Sequence, residues 1–180
     1  MECYDQCDDT CTTDCGHYKG AGRPLRMIRA LTVRQPWAWA IIHGGKDVEN
    51  RTRNIAGAYR GPVAIHAGLA KFEQHNMASH ALRAAHGTEV DARILYGAVI
   101  GVVDLVDVHI PGLTTTRYDG HGGTTVEMSC DCGPWAMPDH HHLTLANPRP
   151  LPRPISAAGR LGLWIPDGAL QDAIWEQVDA

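Results

Sequence analysis

The chain has 180 residues, 44% of them hydrophobic and 20% charged, which suits one folded domain with its own core. No stretch approaches the roughly 20 apolar residues of a spanning helix, and the acidic, Cys-rich start is unlike a signal peptide, so a cytoplasmic protein that meets no membrane is expected. The net charge of -4 conceals an asymmetry: residues 19–60 carry nine basic side chains against Asp47 and Glu49, a +7 segment of the kind that phosphates attract.

A solvated basic face is the alternative explanation of that segment. Residues 1–26 read as an acidic tail and residues 27–180 as the domain. In the tail Cys3, Cys7, Cys11 and Cys15 recur every fourth residue, with His17 next and a C-x-C of Cys130 and Cys132 far downstream. On a helix such a row spans about 18 Å, too long for one tetrahedral ion. Zinc is therefore expected on two or three of these thiols together with His17, or with Cys130 and Cys132. The alternative is an acidic tail whose thiols bind nothing, and a disulfide framework ranks behind both.

Within the domain, residues 28–33 read as a strand, and Gln35-Pro36 opens a helix with Trp37, Ala40 and Ile41 on one face and Gly44-Gly45 at its end. Residues 47–53 read as extended, with Glu49, Arg51 and Arg53 on one side and Val48 on the other. Residues 62–67 are a further strand, and residues 71–86 a helix with Ala78, Ala81, Leu82 and Ala85 inward. The clearest strand runs from Gly97 to His109, with Asp104 and Asp107 among apolar residues.

Residues 110–134 read as a Gly/Thr-rich loop and His142 to Leu145 as a strand. The Pro-rich residues 146–154 read as an extended connection, and Leu161 to Ile165 as a closing strand. Asp167 is placed to cap a last helix that turns Leu170, Ile174 and Val178 inward. Several strands in non-alternating order with short helices give an α+β class or a barrel. His140-His141-His142 resembles a metal tract, but strand alternation lets at most two share an ion, and one or two exposed loop histidines are expected.

P-loop, nucleophile-elbow, H-E-x-x-H and Rossmann signatures are absent from the sequence. What stands out is Gln35-Pro36-Trp37 followed by Gly44-Gly45-Lys46-Asp47-Val48-Glu49-Asn50-Arg51. Then come Tyr59-Arg60-Gly61-Pro62, Ile65-His66-Ala67, and the run from Gly97 to Asp104. Pro134-Trp135-Ala136, Asn147-Pro148-Arg149-Pro150-Leu151 and Gly159-Arg160-Leu161-Gly162-Leu163-Trp164 follow. In this order the blocks resemble the ASCH family of PUA-like domains over about residues 28–166, with its G-x-K-x-x-E-x-R signature after a short helix.

The resemblance implies a small PUA-like β-barrel with short flanking helices and a cleft beside the motif. Relatives bind RNA or DNA, some read modified bases, and a few are hydrolases, including an amidohydrolase for N4-acetylcytidine. RNA, DNA or a modified nucleoside is thus the expected partner, and the barrel itself requires no cofactor. Lys46 and Glu49 are the candidate catalytic pair, Lys46 for an oxyanion or phosphate and Glu49 as a general base on water. In the amidohydrolase relative a Thr stands where this chain has Glu49.

The candidate ligand-binding set is Gln35, Trp37, Arg51, Arg53, His66, Asp104 and Trp135. Arg51 offers a bidentate fork and the tryptophans stacking surfaces. Two plainer roles compete, a Glu49–Arg51 ion pair that serves structure alone and a Trp37 packed in the core. Asp104, in an apolar strand, requires a partner, and Lys46 and Arg51 are the expected ones.

Overall fold

The structure is a computed structural model and describes residues 27–70, 94–118, 124–128 and 132–180. The tail with its four cysteines and the helix expected over residues 71–86 lie outside the described residues.

The chain runs β1 (Arg29–Val33), α1 (Trp37–His43), β2 (Val48–Arg51), β3 (Gly61–Ala67), β4 (Ala98–His109), β5 (Leu113–Tyr118), β6 (Thr124–Met128), β7 (His141–Ser156), β8 (Leu163–Trp164) and α2 (Gly168–Val178). Six strands form a mixed sheet in the order β2-β7-β4-β3-β1-β8, curled into a half-barrel, while β5 and β6 pair separately. Only the β1–β3 pairing in the large sheet is parallel. The class is α+β, with two short helices among the described residues, and is compatible with a PUA-like fold.

Strand alternation divides the core in two. Leu31, Val33, Val63, Ile65, Ile100 and Leu105 face α1 and pack on Ile41 and Ile42. Ala30, Ala64, Val99 and Val102 face the other way and bury Ile174 and Trp175 of α2, with Trp164 beside them. At Gly101 a Cβ would lie 2.5 Å from Ile42 Cδ1 and 2.9 Å from the Arg149 carbonyl, so its missing side chain lets α1 approach the sheet. Asp167 caps α2 as the sequence predicts, accepting from the Leu170 N–H at 2.9 Å.

Two expectations need correction. The supposed loop over residues 110–134 contains β5 and β6, whose Thr-rich sequences form strands without the apolar alternation that would announce them. Residues 146–154 are not a connection but the middle of the 16-residue strand β7. Prolines 148, 150, 152 and 154 recur every second residue, so an extended chain collects their missing donors on one side. Pairing with β4 breaks between Pro150 and Ile155, and there the Arg153 N–H donates to Gln177 Oε1 of α2 at 2.9 Å.

Candidate functional site

The G-x-K-x-x-E-x-R segment forms the turn from α1 into β2. Gln35 holds the start of α1: its Oε1 accepts from the Trp39 N–H at 3.0 Å and its Nε2 donates to the Leu95 carbonyl at 2.7 Å. At the other end the N–H groups of Gly44 and Lys46 both donate to the Ala40 carbonyl, and Gly45 takes φ +70°, a left-handed conformation that favours glycine. This turn sends the Lys46 side chain back under the helix. β2 is then fixed by antiparallel pairing, Glu49 opposite Leu143 and Arg51 opposite His141.

Lys46 is a buried cation, with its side chain only 4% exposed. Its Nζ donates to the Val48 carbonyl and stands 3.8 Å from Glu49 Oε2. It also lies 5.6 Å from the ring centre of Trp37 and 5.5 Å from that of Trp135, within the range of cation–π attraction. The two indoles meet edge to face, 6.2 Å apart at 82°. Burial pushes the ammonium below its ordinary pKa, against the pull of Glu49 and Asp47, while Arg51 adds to the lowering.

Glu49 is nearly inaccessible and lies between two cations, with Arg51 Nη2 at 3.1 Å from its Oε1. Burial pushes its carboxyl above the ordinary range; Arg51 and then Lys46 oppose the shift. Arg51 also donates from Nη2 to the Thr32 carbonyl at 3.1 Å, while its buried Nε has no hydrogen-bond partner.

Two cavities adjoin these groups. The larger, about 690 Å3, is bordered by Thr32, Arg34, Trp37, Glu49, Arg51, His66 and the segment Gly159–Gly162. The smaller, about 330 Å3, lies among Trp37, Lys46, Glu49, Asn50 and residues 134–137. Trp37, Glu49 and Asn50 border both. Among the described residues, three arginines (34, 51 and 160) against one carboxylate make the larger cavity suited to an anionic group. Its far wall is His66, fully buried, whose Nε2 donates to the Ala157 carbonyl at 2.9 Å and whose buried Nδ1 has no hydrogen-bond partner.

Of the residues singled out in the sequence, Trp37, Lys46, Glu49, Arg51, His66 and Trp135 therefore converge. Gln35 is buried and caps α1, and Arg53 is exposed beyond the end of β2, bordering neither cavity. Asp104 is a correction: its partners are Arg149 Nη2 at 2.5 Å and Asn147 Nδ2 at 2.9 Å, not Lys46 or Arg51. The reason is register, since β4 and β7 run side by side and set Asp104 opposite Ala146. Glu49 and Arg51 do pair, as the plainer alternative has it, yet both also border the larger cavity.

Asn50, inside the motif, escapes sequence reasoning. Its Nδ2 donates to the Trp135 carbonyl at 2.8 Å and its Oδ1 accepts from the Met137 N–H at 2.9 Å, which holds the Trp135 loop over the smaller cavity. Amide side chains that clamp backbone show no pattern in one sequence. A scan against protein families finds no match for the chain, and no curated protein is significantly similar to it.

Proposed function

We propose that the chain is an ASCH-type PUA-like domain that binds nucleic acid, RNA in the first place, or a modified nucleoside, in the paired cavities around Lys46. One observation carries this: a buried ammonium between two indoles, beside an Arg-lined cavity of about 690 Å3. That volume lies within the range of small-ligand sites, and its chemistry suits a nucleotide. Arg34, Arg51 and Arg160 meet phosphate or sugar oxygens, and Trp37 and Trp135 flank a base in the smaller cavity. With its Nζ donating to Val48, Lys46 acts as a fixed positive charge behind the site.

A second role, hydrolysis of an acylated base, is favoured by the opposite shifts of Glu49 and Lys46. A carboxylate whose proton affinity burial raises suits a general base that takes a proton from water, while Lys46 steadies the oxyanion formed as that water adds to the acyl carbon. The proton then passes to the departing amine.

Tryptophan fluorescence titrated with short single-stranded RNA, DNA and N4-acetylcytidine tests the binding role, and chromatography of the same mixtures tests hydrolysis. Saturable binding that Trp135→Ala weakens at least tenfold supports the proposal, at about 1–3 kcal/mol per stacked base. Absence of binding to all three overturns it.

A further inference from the structure

A second cluster lies on the neighbouring strands. His109 closes β4 and His142 is the second residue of β7, and the two are direct partners in the antiparallel ladder. Their rings meet edge to face at 5.4 Å. Cys132 approaches from the preceding loop, its Sγ 3.1 Å from His109 Nε2. One donor atom from each of the three lies within 4.8 Å of the others. A tetrahedral zinc with bonds of about 2.0–2.3 Å separates its ligand atoms by about 3.3–3.7 Å, so small side-chain rotations close the trio on an ion.

The surrounding groups are those that prepare histidines for a metal. His109 gives its Nδ1–H to Asp107 Oδ2 at 2.8 Å, which leaves the lone pair on Nε2, the nitrogen facing Cys132. His142 gives its Nε2–H to the Met137 carbonyl at 2.8 Å, which holds its ring in place beside His109. A cavity of about 420 Å3 bordered by Asp47, Asp107, His109 and Cys132 gives solvent access to a fourth position.

We propose that His109, Cys132 and His142 form a redox-gated site for zinc, separate from the cavities around Lys46. In the structure Cys132 is disulfide-bonded. A dithiol reductant opens it: the S–S bond breaks, each sulfur takes one electron and one proton, and the reductant closes to its own disulfide. Zinc then binds the Cys132 sulfur and releases its proton to water, with the two imidazoles as further ligands and water in the fourth place. Two imidazoles and a thiolate select a borderline-soft ion over magnesium or calcium.

The test is cobalt(II) and zinc titration of the reduced full-length chain in which the four tail cysteines are replaced by serine. One equivalent of cobalt should give a sulfur-to-cobalt charge-transfer band with strong visible bands of four-coordination. Cys132→Ser should abolish the charge-transfer band. His109→Gln should weaken zinc about 100-fold and the exposed Asp107→Asn about tenfold, with circular dichroism unchanged. In the intact, unreduced chain His109→Gln should leave metal binding unaltered. No sulfur band in the reduced chain, or one indifferent to both Cys132→Ser and His109→Gln, overturns the site. Equal dependence on His109 before and after reduction overturns the gating.

Discussion

Arg51 Nη2 reaches Glu49 Oε1 at 3.1 Å and the Thr32 carbonyl at 3.1 Å, so one guanidinium ties the edge strand β2 to β1 at the far side of the sheet. Arg51→Ala removes both bonds and leaves a buried carboxylate with Lys46 alone. The expected loss is about 2 kcal/mol in urea unfolding. Arg51→Lys should recover only part of it, because a single ammonium cannot span both acceptors in the same plane.

Burial raises Glu49 above its ordinary value of 4.5, so the folded chain holds this proton more tightly than the unfolded chain. Its contribution favours folding below about pH 4.5 and is lost as pH rises through the raised value. Lys46, lowered by burial, runs the other way: its contribution is present above 10.5 and lost as pH falls through its folded value. Urea unfolding across pH should show stability falling above pH 4.5 in the parent relative to Glu49→Gln, whose side chain stays neutral. Identical slopes would refute the shift.

Asn50 holds two backbone groups of the Trp135 loop. Asn50→Ala should cost about 1–2 kcal/mol and speed hydrogen exchange at the Met137 amide, while amides of β4 keep their protection. Any ligand of the smaller cavity should bind the variant more weakly, since the indole above it is then less ordered.

A Cβ on Gly159 would lie 2.6 Å from His66 Cε1 and 2.8 Å from His66 Nδ1. The imidazole is buried and held by the Ala157 carbonyl, so it cannot swing away. Gly159→Ala should destabilise the fold by about 1–3 kcal/mol and narrow the larger cavity. Thermal unfolding reads the first effect and RNA titration the second.

If a polynucleotide is the ligand, the basic residues of segment 19–60 make its binding electrolyte-sensitive. The association constant should fall at least tenfold between about 50 and 200 mM salt. Binding unchanged over that range would point to a small neutral ligand.

Much of the framework is legible in the sequence because its signals are local. Val63 and Ile65 opposite His66 mark β3, a continuous apolar run marks β4, Asp167 marks the start of α2, and Gly44-Gly45 marks the end of α1. Lys46, Glu49 and Arg51 are legible as a motif, since one turn and one short strand carry them. Asp104 is not, because its partner is decided by the register of β4 against a strand more than 40 residues away. That His142 is the wholly buried member of the histidine tract is not legible, since sequence spacing does not reveal that β4 ends opposite it. The trio of His109, Cys132 and His142 draws on two strands and a loop, so only tertiary structure assembles it.

An open half-barrel has two rims where a closed barrel has none. Here they are β2, with four residues, and β8, with two, the shortest strands of the six. Each offers few backbone donors and acceptors to a stranger, and β2 carries Glu49 and Arg51 within its four residues. Brevity and charge at the rims are the usual defences against edge-to-edge polymerisation. The side chains that shape the cleft thereby also help to keep one copy of the sheet from templating the next.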